Sequence, residues 1–177
     1  WYHLDYFDSL DCNKNYSLFD GIDVYREILQ NHKIPSSFFV LGEIAKSISS
    51  TLRDITQEKH EISSHSTNHI RPITLPVSEF YNDLDRSKKT LEDIIGDSIE
   101  GYRAPCFSID RERLEQLQKA GYSYDSSRIE FGTHPLYETI NMDGYELVMP
   151  NIFRNNDFFE FQANTYSVYG KNMPISG

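Results

Sequence analysis

His60-Glu61-Ile62-Ser63-Ser64-His65-Ser66-Thr67-Asn68-His69 is the stretch on which the reading of this chain turns. Its first five residues read as a short strand, and the small polar residues that follow read as a loop, so His65 is delivered at the strand's carboxyl end. In parallel α/β folds the loops beyond the carboxyl ends of strands carry the chemistry. Two neutral imidazoles four residues apart grip one divalent ion when the backbone turns both rings to the same side. Such a spacing also arises by chance on surfaces, so context decides. Here Ser64, Ser66, Thr67 and Asn68 are suited to orienting rings and satisfying loop amides, and Pro72 follows in the same loop.

Working outward, the chain alternates apolar runs with amphipathic stretches, the pattern of a βα-repeat protein of the α/β class. Asp20 is placed to cap a helix running to about Asn31, with Ile22, Tyr25, Ile28 and Leu29 as its buried stripe and Pro35 closing it off. Ser37-Phe38-Phe39-Val40-Leu41, ended by Gly42, suits a strand covered on both faces. A helix is expected from about Glu43 to Lys59. The strongest helix runs from Val77 to about Ile95, with Phe80, Leu84, Leu91 and Ile94 as its apolar face and Gly96 as its stop. Ile99-Glu100-Gly101-Tyr102 is a third strand, Ile109 to Ala120 a helix ended by Gly121, and Tyr122-Ser123-Tyr124-Asp125 a fourth strand. Beyond Ser127 the pattern loosens, with strands expected at Glu146-Leu147-Val148-Met149 and Phe158-Phe159-Glu160-Phe161. No internal repeat and no low-complexity linker divides residues 1–177, which read as a single domain.

Composition limits the function classes. With 177 residues, 38% hydrophobic and 25% charged, the chain has the make-up of a soluble globular protein. No run approaches the roughly 20 apolar residues of a membrane span, and Trp1-Tyr2-His3-Leu4-Asp5 is not a secretory leader. The formal charge of −10 would repel a phosphate backbone, so nucleic acid is not an expected partner. Cys12 and Cys106 form no disulfide framework and lack zinc-ribbon spacing, which favours a reducing, cytoplasmic location over the periplasm or cell envelope.

A second signal is Arg103-Ala104-Pro105-Cys106-Phe107, at the end of the third expected strand. A surface ion pair is the commoner role for such an arginine. Its planar fork is equally suited to fixing a neighbouring carboxylate, keeping it ionised and aiming it at a metal-bound water. Pro105 would stiffen the loop, and Phe107 would wall a sugar-sized groove, although most aromatics in a chain with 14% of them serve the core. With the histidines, this is half of a metal-dependent hydrolase site. A third ligand, usually a carboxylate, must come from elsewhere.

Ser36-Ser37-Phe38-Phe39-Val40-Leu41-Gly42, the His60–His69 stretch, Gly101-Tyr102-Arg103-Ala104-Pro105-Cys106-Phe107-Ser108 and Tyr124-Asp125-Ser126-Ser127 together resemble consecutive motifs of the NodB-type polysaccharide deacetylases, carbohydrate esterase family four. The likeness covers most of residues 20–177. It is closest to the branch found beside bacterial exopolysaccharide and lipopolysaccharide gene clusters, and Met173-Pro174-Ile175-Ser176-Gly177 resembles the start of a further stretch of that branch.

The resemblance implies a distorted (β/α) barrel with fewer than eight strands, and hydrolytic removal of N-acetyl groups from the amino sugars of a polysaccharide or oligosaccharide. It also implies that His65 and His69 bind one divalent ion, zinc in the first place, with cobalt, manganese and iron suited to the same donors. Arg103 would position the catalytic base, Asp125 would match an aspartate that tunes the general acid, and Pro105 and Phe107 would shape the acetyl pocket. A backbone amide near Cys106 or Phe107 would stabilise the oxyanion.

In the family, the first motif carries the base and the third metal ligand. Trp1-Tyr2-His3 resembles its tail, which puts both carboxylates upstream of Trp1, while the late catalytic histidine would lie beyond Gly177. The barrel is therefore expected to be incomplete, lacking its first strand and last elements. Within the chain, His134 is the default candidate for the acid, and Asp5, Asp8 and Asp11 are candidate substitute ligands. Two further readings stay open: a catalytically inactive relative that binds carbohydrate, and an amidohydrolase of a small nitrogenous compound on the same barrel.

Overall fold

The short apolar runs find one another in a single sheet. In the computed structural model, which describes residues 21–130, 140–168 and 171–174, strands β1 (Ser37–Val40), β2 (Glu61–Ser64), β3 (Gly101–Tyr102), β4 (Tyr124–Asp125) and β7 (Phe158–Phe161) pair in parallel. Strands β5 (Glu146–Met149) and β6 (Ile152–Asn155) continue the sheet in antiparallel pairing, giving the order β1-β2-β3-β4-β7-β6-β5. A separate antiparallel pair joins β8 (Thr165–Val168) to β9 (Lys171–Pro174). The helices are α1 (Ile22–His32), α2 (Gly42–Ala45), α3 (Ser49–Gln57), α4 (Val77–Ile95) and α5 (Arg111–Lys119). A helical segment thus separates each consecutive pair of β1, β2, β3 and β4, as the βα pattern requires. The described part of the barrel is an open sheet.

Helix α4 is the main cover of the sheet. Its Phe80, Leu84 and Leu91 have no exposed surface, and they pack with Tyr102, Ile99, Leu114 and Leu117 in one core. Burying each such side chain is worth about 1.5–3 kcal/mol. Gly96 ends α4 where the sequence places the stop.

Several boundaries differ from the sequence reading. The helix expected over residues 43–59 is split, because the amide and hydroxyl of Ser47 both donate to the Ile44 carbonyl and close the first turn. Of the stripe assigned to α1, only Leu29 is buried, while Tyr25 and Ile28 are about half exposed. The helix meets the sheet along a narrow ridge where Tyr25 packs edge-on to Phe38. Strand β1 lies at the sheet's described edge, so Phe38 and Phe39 are half-buried rather than fully covered. Asp20, Trp1-Tyr2-His3, Asp5, Asp8, Asp11, Cys12, His134 and Ile175-Ser176-Gly177 lie outside the described residues.

Strand register sorts the side chains into two faces. The row Val40, Ser64, Tyr102, Asp125, Glu160 faces the helices and is buried throughout. On that face Ser64 Oγ bonds Ser87 Oγ of α4, and the Tyr102 ring meets Phe80. The adjacent row on the other face runs from Phe39 and Ser63 through Gly101 and Tyr124 to Phe159. At the strand ends that second face continues into His65, Arg103 and Ser126. It is there that the chemistry collects.

Candidate active site

His65 leaves the end of β2 with its amide bonded to the Val40 carbonyl at 2.9 Å. Its ring Nδ1 lies 2.6 Å from the Arg103 carbonyl oxygen. A carbonyl only accepts, so Nδ1 carries a proton, and in the neutral imidazole Nε2 is then the nitrogen suited to ligating a cation. The His69 ring follows with its centroid 5.2 Å from that of His65 and its plane inclined by 61°. The two imidazoles are therefore brought together on one turn. Two imidazoles on one turn are donors of the kind that fit a divalent ion of the zinc type. Among the described residues no group of three His, Cys, Asp or Glu side chains is placed to hold one.

The turn is held from below at each residue. Ser66 adopts a φ of 69°, and its hydroxyl meets the Tyr102 hydroxyl at 2.6 Å. The Ser66 and Thr67 carbonyls accept from the amides of Gly42 and Glu43. A Cβ at position 42 would stand 3.2 Å from the Thr67 Cα, closer than ordinary contact, so glycine at the start of α2 eases the approach of the turn. The Thr67 amide points at both carboxylate oxygens of Asp83, at 3.3 and 3.2 Å. Asp83 sits on the buried face of α4 and is braced by Arg86. The periodicity reading passes over Asp83 and Ser87, although polar residues on an otherwise apolar helix face are themselves the signal of a buried contact.

Arg103 projects from the end of β3 on the histidine side. Its Nε donates to the Ser126 carbonyl at 2.9 Å and its Nη2 to Ser126 Oγ at 2.7 Å. The guanidinium lies 4.2 Å from the centroid of Phe39 and 5.6 Å from that of Phe107. Burial lowers its pKa, an effect opposed by the negative charge of Asp125 nearby, and an arginine so placed stays charged. Pro105 is buried within a 3₁₀ turn spanning Pro105–Phe107, and Phe107 is half-buried beside the guanidinium. Cys106 and Phe107 both have positive φ, 54° and 51°. Such backbone is costly outside glycine and is found where surrounding contacts fix a functional loop. The Phe107 amide donates to the Ala104 carbonyl at 3.0 Å, so it is not available to an oxyanion.

Asp125 lies on the opposite side of β4, facing the helices with no exposed surface. Its Oδ1 accepts from Ser127 Oγ at 2.7 Å and its Oδ2 from the Ser127 amide at 3.1 Å. In register with it on β7 stands Glu160, equally buried, whose Oε1 accepts from the Arg128 amide at 2.8 Å. Among the described residues Glu160 Oε2 meets no donor. The two carboxyls face one another, and this is resolved if Glu160 keeps its proton and donates it to Asp125. Burial raises both: Asp125 to about 6, and Glu160 well above the usual carboxylate range because the Asp125 charge adds to its desolvation.

This pair has a consequence for stability. When a folded-state pKa is raised, the native protein holds more protons than the unfolded chain, so stability falls as pH rises from the ordinary carboxylate range through the folded value. The thermal midpoint is expected to decline through about pH 6 and beyond, as Asp125 and then Glu160 are forced to ionise. Glu160→Gln, a neutral isostere of the protonated side chain, is expected to flatten that decline. Thermal melts of both proteins from pH 5 to 8 check it, and parallel slopes would contradict the shared proton.

The fold and site define an α/β protein whose convergent polar side chains gather at the carboxyl ends of parallel strands, with a histidine pair and an arginine on one face of the sheet. A family model described as polysaccharide deacetylase matches residues 21–124, and the chain belongs to that family. Among curated relatives, the chain is 26% identical over 117 residues to a peptidoglycan deacetylase of Helicobacter pylori, covering 66% of this chain and 40% of the relative. It is 25% identical over 97 residues to a peptidoglycan-N-acetylmuramic acid deacetylase of Bacillus subtilis, covering 54% and 37%. Among solved structures, one from Mycobacterium smegmatis described as a polysaccharide deacetylase has a TM-score of 0.59 at 28% identity, covering 62% of this chain and 38% of that one. A Bacillus anthracis mutant, described as a family CE4 pseudoenzyme with restored enzymatic activity, shares the fold with a TM-score of 0.57 at 21% identity, covering 60% and 39%. The chain spans less than half the length of each of these proteins.

Proposed function

We propose that this chain carries part of the active site of a metal-dependent hydrolase that removes N-acetyl groups from the amino sugars of a polymer. The observation that carries the reading is the His65 ring, whose Nδ1 is held by the Arg103 carbonyl and which stands beside the His69 ring on the same turn. His65 and His69 would hold the ion. A divalent ion there supplies Lewis-acid activation of water and of the acetyl carbonyl. Arg103, aimed by Ser126 and flanked by Phe39 and Phe107, presents a half-buried positive charge suited to keeping a carboxylate base ionised and oriented. Phe107 offers an apolar face to the sugar or its acetyl methyl. The named activities of the Helicobacter and Bacillus relatives support an N-acetylated glycan as the substrate class.

The test uses the full-length protein with added zinc and N-acetylglucosamine oligomers. Metal-dependent release of acetate is the expected result. Ammonia released from small amides instead would make it an amidohydrolase of another substrate, and oligomer binding with no hydrolysis would make it an inactive carbohydrate-binding relative.

A further inference from the structure

Three of the hydrogen bonds around this site belong to one chain of contacts. The peptide unit joining Arg103 to Ala104 is used at both ends. Its carbonyl accepts from His65 Nδ1 at 2.6 Å, and its amide, on Ala104, donates to Ser127 Oγ at 2.8 Å. Ser127 Oγ in turn donates to Asp125 Oδ1 at 2.7 Å. The direction of every proton is fixed. A backbone amide only donates, so Ser127 Oγ must accept there and spend its single proton on Asp125, while the carbonyl only accepts, so the imidazole must donate. Ala104, Ser127 and Asp125 have at most 1% exposure and His65 has 7%, so water does not compete along the path.

We propose that Asp125 and Ser127 are positioning residues for the metal ligand His65, acting through the Arg103–Ala104 peptide, an inference that rests on the reading of His65 as a ligand. A carboxylate at the far end polarises the hydroxyl, the hydroxyl polarises the amide, and the carbonyl becomes a stronger acceptor for the imidazole proton. In a dry environment such chains strengthen cooperatively. The lone pair on Nε2 becomes more basic, and the ring is held in one tautomer and one orientation. Many metal-bound histidines receive this from a carboxylate touching the ring directly. Here a peptide unit and a serine are interposed, which lets an aspartate on the helix face of the sheet serve a ligand on the other face. Glu160 stands in register with Asp125 and equally buried, and the oxygens of Asp125 accept from the Ser127 hydroxyl and amide.

The experiment has two arms on the full-length protein, with Ser127→Ala and Asp125→Asn as variants and circular dichroism to establish that each folds. Asp125→Asn is nearly isosteric and serves if Ser127→Ala does not fold. In the first arm, zinc affinity is measured by chelator competition, and both variants are expected to bind about 10- to 100-fold more weakly, the range for removing an outer-shell partner of a ligand. In the second, the imidazole ¹⁵N and Nδ1 proton shifts of metal-free protein are compared. The Nδ1 proton of His65 is expected to move upfield in both variants as its hydrogen bond weakens. Unchanged affinity and an unchanged His65 proton in a folded variant would overturn the proposal. A parent protein that binds no zinc defeats the hydrolase reading instead, and the proton shift still decides whether the relay reaches His65.

Discussion

His65→Ala in the full-length protein is expected to lower acetate release by at least about a thousandfold while leaving the helix content and thermal midpoint close to those of the parent. On the proposed reading the size follows from what the ligand would secure: a divalent ion lowers the pKa of its water to about 7, and losing the ion would forfeit a nucleophile available at neutral pH. The tolerance of the fold follows from how the turn is anchored. Ser66 is tied to Tyr102 and Gly42, and Thr67 to Asp83 and Glu43, none of which depends on the imidazole. His69→Ala is expected to behave alike, since its ring stands edge to face with that of His65 at 5.2 Å. Rates on N-acetylglucosamine oligomers, read beside bound zinc and a thermal melt, check both. A folded variant that retains its turnover removes the histidine pair from the mechanism.

The histidines and the arginine are legible in the sequence for a physical reason. His65 and Arg103 each follow a short strand, whose end fixes where the next residue goes; His69 comes with His65 on the same turn, and the parallel pairing of β2 with β3 sets Arg103 beside them. Asp125 is legible as a residue but not as a position. Its burial toward the helices, and its engagement by Ser127 rather than by a residue in the cleft, depend on which face of a two-residue strand it occupies. Glu160 is missed altogether. The sequence reading takes Phe158-Phe159-Glu160-Phe161 as a strand and assigns Glu160 no role, and only the parallel pairing of β4 with β7, residues far apart in sequence, puts it opposite Asp125.

The same limit explains β6. Ile152-Phe153-Arg154-Asn155 is short and half polar, yet the Asn155-Asn156-Asp157 run before Phe158 is a turn signal, and Asn156 takes the positive φ of 53° that such hairpins use. The sequence reading also passes over the β8–β9 pair, although Gly170 stands between the two strands in the sequence as a turn signal. Helix α1 shows the opposite error, since its periodicity predicts a broad buried stripe but Tyr25 and Ile28 remain about half exposed. Periodicity reports which face is apolar, not how much of it another element covers.

Gly101→Ala is expected to cost more stability than its single methyl group suggests, about 3 kcal/mol or more. Gly101 lies in β3 beside Tyr124, with which it is in register, and the Tyr124 ring crosses directly over it. A Cβ there would fall within the ring, 2.6 Å from Cε1 and closer still to Cζ and the hydroxyl. The ring has little freedom to yield. Its hydroxyl bonds Ser63 Oγ at 2.9 Å and Glu61 Oε1 at 2.8 Å, Glu61 is bonded in turn by Ser37, and Phe161 packs edge-on at 5.2 Å. Displacing it therefore breaks a polar network that ties β4 to β2 and β1 across the intervening strand, and disturbs the aromatic contact with β7. Arg103 leaves the same strand two residues later, so the strain is expected to reach the site as well. Urea unfolding of the variant and of Tyr124→Phe separates the contributions, because Tyr124→Phe removes the hydroxyl bonds while keeping the ring over Gly101. A Gly101→Ala loss no larger than that of Tyr124→Phe would mean that the ring moves aside freely and that the glycine is not required by the crossing.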